Sequence, residues 1–408
     1  MRRSTRQGDG APHVLVALEN NPYPLDRRVR QEAEALIAAG YRVTVCSPTG
    51  NDQPATDEHI GGVHVLRYPV PPGGRSILGY LREYVLSLAR LSRLMWRAHR
   101  RDPVDIALVC SPPDLLMLPA LALRRAGAAV IFDHHDLSPE LFALKFGDRR
   151  ALQALVRRAE AFALRHADVV LATNDTYADI ERNRGNVDPQ RVFIVRNGPD
   201  PARLYPVDPR PELRAGREHL VCWIGFMSDQ EGLDVLVDVA EELVQRRGRE
   251  DITFAIVGSG DARDGLIADT ARRGLDEHVH FPGRAGDDLV RAYLATADVC
   301  VGVDESNPMN DSSTMTKVIE YMVMGRPIVQ FSLRETARVC GDASLYADPG
   351  DVSDFADRIA ELIDDPDRAA RLGAAARERA VPKLLWPEQV PTLLAAVDSA
   401  RRLRELPR

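Results

Sequence analysis

The sequence predicts an α/β protein built from two successive doubly wound domains. Three observations carry that expectation. Apolar, strand-length runs alternate with longer helical patterns, the alternation comes in two sets, and a turn-forming cluster separates the sets. The first set is Val14–Leu18, Arg42–Cys46, Ile106–Cys110, Ala129–Phe132, Val169–Ala172 and Val192–Val195. The second is Leu220–Ile224, Thr253–Val257, Val279–Phe281, Val299–Val303, Ile328–Phe331 and Ser344–Tyr346. Runs of this kind belong to parallel sheets covered by helices on both faces. The boundary falls after Asn197-Gly198-Pro199-Asp200-Pro201, which leads into a proline-rich stretch through Pro211. The expected organisation is a disordered tail at 1–12, domains at 13–200 and 201–384, and a C-terminal helix at 385–408 packing back toward the first domain.

A chain of 408 residues is long enough for two ordinary cores. No apolar run approaches the roughly 20 residues that span a bilayer, and the basic start, Met1 to Gln7, is followed by no apolar signal region. A cytoplasmic location is expected. Five scattered cysteines, at 46, 110, 222, 300 and 340, argue for free thiols rather than a disulfide framework. The net charge is −7, yet residues 1–200 hold 27 Lys and Arg against 23 Asp and Glu. That excess is too small for nucleic-acid binding but permits a local basic patch.

The stretch from Thr314 to Val329 reads as a short helix that stops at Gly325 and runs into a strand. Asp311, Ser312, Ser313 and Thr314 are good N-cap types, so the helix is expected to start there. Lys317 and Glu320, three apart, share a face. A cation beside a helix N-terminus suits a diphosphate, and a carboxylate one turn on suits sugar or ribose hydroxyls. The plainer alternative is a capped helix whose Lys317 and Glu320 pair with each other.

Other motifs fall at expected strand ends. Asp133-His134-His135-Asp136 places adjacent side chains on opposite strand faces, which disfavours both histidines on one metal ion. His134 is expected to pack, and His135 with Asp136 to orient an acceptor hydroxyl or stabilise positive charge on a sugar ring. Asp26, Arg27 and Arg30 follow the first strand and suit acceptor or phosphate contact, or a solvated helix start with an Arg30–Glu34 pair. Gly258-Ser259-Gly260 marks a tight strand-to-helix turn. The loop Asp304 to Asp311, rich in Asn and Asp, reads either as a plain turn or as a site where Glu305 and Asn310 contact sugar hydroxyls. Over 76–101, Arg82, Arg90, Arg93, Arg97 and Arg100 share one helical arc, with Leu78, Leu81, Val85, Leu88 and Met95 opposite and Trp96 at the edge. Either the helix packs on its own sheet with solvated arginines, or it meets anionic lipid headgroups.

Taken in order, several patches resemble the GT-B glycosyltransferases, in particular retaining family 4. They are Asp26 to Ala33 with Gly40, Ser111-Pro112-Pro113, Asp133 to Asp136, Val195-Arg196-Asn197-Gly198, Ile256 to Gly260, and the Glu320 helix. The resemblance implies two Rossmann-like domains facing across a cleft. It implies transfer of a sugar, with retention, from a nucleotide donor held mainly by the second domain to an acceptor held mainly by the first. It also implies that no metal or other cofactor is needed. Glu320 matches the second acid of the family's Glu-x7-Glu motif, and His135 matches a histidine near the transferred sugar. Donor contacts are expected from Arg196, Asn197, Gly225, Met227, Gln230, Gly232, Gly258, Ser259, Gly260, Ser313, Thr314, Met315 and Lys317. A UDP-sugar is slightly favoured, and the acceptor is a glycan or lipid-linked.

Two departures stand out. Ser312 occupies the first acid's place, and Gly225 to Gly232 lacks the usual Arg and Lys. Diphosphate binding must then rest on Lys317, Arg196 and the N–H groups of residues 313–316. Gln230-Glu231-Gly232 and the Asn-Ser-Thr run from Asn310 to Lys317 resemble a bacterial subgroup that builds surface polysaccharides. The rivals are a nucleotide-sugar epimerase on the same fold and a non-catalytic nucleotide-sugar-binding partner.

Overall fold

The computed structural model describes residues 10–50, 56–70, 77–147 and 149–405. Residues 1–9 of the expected tail and Ser76 of the arginine-rich segment lie outside the described residues. The chain forms two compact units. One runs to Arg196 and resumes at Val390, and the other is Asn197–Gln389.

In the first unit the elements are β1 (His13–Ala17), α1 (Arg27–Ala38), β2 (Arg42–Pro48), β3 (Asp57–Ile60), β4 (Val63–Tyr68), α2 (Ile77–Arg101) and β5 (Ile106–Ser111). They continue with α3 (Met117–Ala126), β6 (Ala129–His134), α4 (Ser138–Phe146), α5 (Arg150–His166), β7 (Val169–Ala172), α6 (Asp175–Asn183) and β8 (Val192–Ile194). The sheet order is β3-β4-β2-β1-β5-β6-β7-β8. Every residue of β1, β5 and β6 is buried, as continuous apolar runs under helices on both faces require. The β3–β4 hairpin is absent from the sequence reading. β3 is the sheet's antiparallel edge, too polar to register as a strand, and its turn uses Gly61 and Gly62, both at positive φ.

The second unit holds β9 (His219–Phe226), α7 (Leu233–Glu241), β10 (Ile252–Ser259), α8 (Arg263–Arg272), β11 (Val279–Gly283), α9 (Asp287–Thr296) and β12 (Val299–Gly302). After these come α10 (Thr316–Val323), β13 (Ile328–Phe331), α11 (Arg334–Cys340), β14 (Leu345–Ala347), α12 (Val352–Asp364) and α13 (Pro366–Leu384). Its parallel sheet runs β11-β10-β9-β12-β13-β14, so the chain reverses direction between β9 and β12. In an open α/β sheet, ligands bind at the carboxyl ends of the strands beside such a switch. The start of α10 corrects one expectation: residues Asn310–Ser312 form a separate 3-10 turn, and the α-helix begins at Thr316 with Met315 before it. The Ser312 and Ser313 hydroxyls donate back to the Pro308 and Met309 carbonyls at 2.8 Å.

α14 (Trp386–Glu405) begins in the second unit and continues into the first, where Leu393, Ala396, Val397 and Ala400 are buried at helical spacing. All five cysteines are buried and free.

Behind β6, His134 is fully buried between two carboxylates, with Nδ1 3.2 Å from Glu181 and Nε2 3.6 Å from Glu160. Burial opposes its charge, but the hydrogen bonds and charges of the two glutamates prevail and push its pKa up to about 10. Glu160 also pairs with Arg184 at 2.5 Å and is held below the ordinary carboxylate range despite burial. For Glu181, burial outweighs His134 and the Arg182 charge and leaves it raised. Because the folded pKa of His134 exceeds the ordinary value of about 6.5, its stabilisation is complete below that pH and is lost as pH rises toward 10. His134→Leu takes the shared cation from Glu160 and Glu181, leaving Glu181 without its ion pair and Glu160 with Arg184 alone, and should cost about 3–5 kcal/mol at pH 6. Urea unfolding of wild type and variant at pH 6 and pH 9 checks this. A gap that narrows at pH 9 is expected, and an equal gap at both pH values contradicts it.

Candidate functional site

In the first unit the side chains of interest gather after β6 and at the start of α1. Asp26 caps α1, its Oδ1 accepting from the Val29 N–H at 2.9 Å. Val29, Glu32, Ala33 and Leu36 form the buried stripe of that helix, which brings Arg28 inside with them. Arg28 grips Asp133 with Nε at 3.0 Å and Nη2 at 2.6 Å, and its Nη1 donates to the Val195 carbonyl at 2.7 Å. Its Nε also lies 3.1 Å from Glu32. Desolvation works against the Asp133 carboxylate, but Arg28 and His135 outweigh it and hold it ionised well below the usual range. Glu32, buried beside the Asp133 charge, is pushed up to about 8.

His135 lies just past β6 with Nε2 2.5 Å from Asp133 Oδ2 and remains partly exposed. Burial lowers its pKa, yet Asp133 raises it above the ordinary value. The bond to Asp133 fixes the ring, so its remaining edge is positioned to orient a polar group. Partial burial raises the Asp136 pKa beside it. Sequence reasoning passed over Arg28 and Glu32, although their spacing of four on an apolar helical stripe was a usable signal. Cys110, Asp133 and His135 offer ligand atoms within 4.8 Å of one another. The residues do not fit an ion: the Arg28 guanidinium already holds both Asp133 oxygens, and burial keeps the Cys110 thiol protonated. Arg30 is 3.9 Å from Glu34, Arg27 is exposed, and Arg196, the last residue of this unit's first stretch, pairs with Asp175.

In the second unit the candidates converge on the switch point. A Cβ on Gly258 would stand 1.9 Å from the Gly225 carbonyl oxygen, one on Gly260 2.1 Å from that of Met227, and one on Gly232 2.1 Å from that of Val303. These glycines are therefore demanded by backbone packing between the ends of β9, β10 and β12, whether or not a ligand is bound. Met227 is buried and its N–H donates to the Ser259 carbonyl at 2.9 Å, which locks the loop after β9 onto β10. The loop then carries exposed Gln230 and half-buried Glu231 back toward α10.

Lys317, 8 % exposed, places Nζ 2.5 Å from Glu231 Oε2, 2.7 Å from Asp304 Oδ1 and 5.1 Å from the centre of the Trp223 ring. Desolvation lowers its pKa, but the two acids raise it overall, so it is charged. Its partners are not Glu320, which lies on the same helix and is partly exposed. Met315, partly exposed, precedes α10 and its carbonyl accepts from the Val318 and Ile319 N–H groups at 3.0 and 3.4 Å; the Ser313 N–H is taken by the Asn310 carbonyl at 3.1 Å, and the Thr316 and Lys317 N–H groups form no hydrogen bond among the described residues. Thr314 donates to Glu335 at 3.3 Å, and the Asn310 amide donates to the Glu305 carbonyl at 2.9 Å, bracing the loop over which exposed Glu305 projects. Phe226, overlooked in the sequence, is 59 % exposed at the end of β9.

Residues 25–198 match the family described as "Glycosyl transferase 4-like domain", and residues 218–365 match "Glycosyl transferases group 1". A glycogen synthase of Mycobacterium tuberculosis is 26 % identical over 93 % of this chain and 92 % of its own. Sucrose-phosphate synthase of Thermosynechococcus elongatus superposes with a TM-score of 0.77 at 20 % identity, covering 96 % of this chain and 99 % of that one. Anabaena HepE, in a structure with UDP-glucose, gives 0.73 at 17 % identity, covering 95 % and 99 %. Two parallel-sheet α/β units, a switch-point cluster in the second, and family matches that together reach from residue 25 to 365 place the chain in family 4 of the GT-B glycosyltransferases.

Proposed function

We propose that this glycosyltransferase moves a sugar from a nucleotide-sugar donor, a UDP-sugar by preference, to a glycan or lipid-linked acceptor. The anomeric configuration is retained, no metal takes part, and the pathway is polysaccharide or glycoconjugate biosynthesis. The observation that carries the reading is the Lys317–Glu231–Asp304 cluster at the switch point, beside the open first turn of α10. The UDP-glucose bound by HepE supports the donor class.

The chemistry asked of the protein is stabilisation of a departing diphosphate and positioning of the acceptor. Lys317 alone cannot neutralise the diphosphate while two carboxylates share its charge. In this reading it keeps the buried Asp304 and exchanges the half-buried Glu231 for a donor phosphate, while the α10 N–H groups add their dipoles. Glu320 accepts hydrogen bonds from donor hydroxyls one turn further along α10. His135 and Asp136 orient the acceptor in the first unit, with Asp26, Arg27 and Arg30 around them.

No described helix is long and apolar enough to cross a membrane. The location proposed is the cytoplasmic side of the plasma membrane, approached through α2. One expectation about that helix is corrected: Val85 is 57 % exposed and lies with the arginines rather than on the packed side, where Ser87, Leu91, Met95 and Ala98 are buried.

A thermal-shift screen of UDP-, GDP- and dTDP-sugars tests the donor. The matching donor at a hundredfold excess over its Kd should contribute about 2.7 kcal/mol, a rise of several degrees. Glu320→Ala should keep the unliganded melting point and lose most of that rise; an undiminished rise removes Glu320 from the site. Glu231→Gln frees Lys317 of a competing charge and should tighten donor binding several-fold by calorimetry. Weaker binding would instead make Glu231 itself a donor contact and overturn the exchange.

A further inference from the structure

Helices α2, α3 and α5 together carry twelve arginines and two glutamates, with no lysine or aspartate, in a chain whose net charge is −7. The connections β4 to β5, β5 to β6 and β6 to β7 all step the same way across the sheet. Right-handed crossovers therefore put these three helices on one face, and α3 contacts both of its neighbours. Of the two acids, Glu160 is buried behind β6, and although Arg101 and Arg124 pair with Asp57 and Asp168 of neighbouring segments, Glu83 is left facing a large excess of cations. Arg82, Arg93, Arg97 and Arg100 on α2 and Arg157 and Arg158 on α5 are exposed and form no ion pair with a described residue.

Apolar side chains stand out among these cations. Trp96 is 44 % exposed, Leu118 48 % and Leu155 61 %, and Leu152 is exposed one turn before Leu155. A merely solvated arginine face has no use for protruding leucines, and a polyanion such as nucleic acid gives them nothing to enter. A second copy of this chain placed on the same face would oppose like charges. A layer of anionic headgroups over hydrocarbon satisfies both features, attracting the arginines and accepting the leucines.

We infer that α2, α3 and α5 form one docking face for an anionic lipid bilayer, with Leu152 and Leu155 of α5 entering the interface beside the arginines. The inference rests on the membrane approach proposed above and extends it from one helix to three. It places the anchoring apolar contact on α5 rather than on α2 alone.

The test uses the full chain with vesicles of phosphatidylcholine, with and without phosphatidylglycerol, read by co-sedimentation and by tryptophan emission. Trp223 and Trp386 are buried, so an emission shift on binding reports Trp96. Wild type should bind the phosphatidylglycerol vesicles alone, with a blue shift. Leu152→Ser/Leu155→Ser, at an unchanged melting point, should bind about tenfold more weakly. Arg93→Gln/Arg97→Gln/Arg157→Gln/Arg158→Gln should lose binding further and become insensitive to salt. Equal binding by the leucine variant overturns the α5 contact, and capture by heparin as strong as by vesicles, without a shift, overturns the lipid assignment. Donor-dependent nucleotide release with a water-soluble acceptor, measured on the same preparations, should be unaffected by the variants. Its loss only in the variants assigns the face to transfer rather than docking, whereas its absence in wild type with intact vesicle binding condemns the transferase reading and leaves the face standing.

Discussion

The second unit's site depends on backbone contact so close that it excludes a Cβ. At Gly258 over Gly225, Gly260 over Met227 and Gly232 over Val303, main chains from three strand ends meet without side chains between them. That contact fixes where the loop after β9 must travel, and the loop in turn sets Glu231 against Lys317. A residue larger than glycine at these points would part the strand ends by more than an ångström and take the carboxylate with it. These glycines therefore set the backbone that carries the candidate site, whether or not they also touch a ligand.

Charge burial follows one pattern in both units. Arg28 lies between Asp133 and Glu32, His134 between Glu160 and Glu181, and Lys317 between Asp304 and Glu231. In each case a buried cation lies between two acids. Such arrangements add little net stability compared with an apolar core, but they define a single geometry, because every misplacement strands a charge in a low-dielectric interior. The pairs differ in access. His134 is sealed and structural, Arg28 is sealed but orients partly exposed His135 through Asp133, and Lys317 shares its charge with half-buried Glu231, which makes it the cation best able to change partners.

Much of the fold was legible because parallel strands buried on both faces are continuous apolar runs, as in β1 and β5. The β3–β4 hairpin was not, since an edge strand of Asp57, Glu58, His59 and Ile60 has no apolar signature. The position of α10 was misjudged because serines and an aspartate that favour N-caps equally favour the 3-10 turn they form here. Of the candidate site, His135, Lys317 and Glu320 are proposed from their motifs. Their partners cannot be: Arg28 and Asp133 are 105 residues apart, and Lys317 and Glu231 are 86 apart, so nothing local announces either pair. Val85 was assigned to the packed side by an idealised wheel, whereas the sheet beneath α2 selects the stripe through Leu91 and Met95.

The central claim is that the nucleotide-sugar bond is broken by transfer. Its most direct test is the rate of free nucleotide release from the stabilising donor, with and without a glycan or lipid-linked acceptor, followed by the configuration of the new bond in the product. Acceptor-dependent release giving a product with the donor's anomeric configuration is the predicted result. Donor binding with no release across acceptors of both classes, or consumption of donor with no acceptor present, would contradict it.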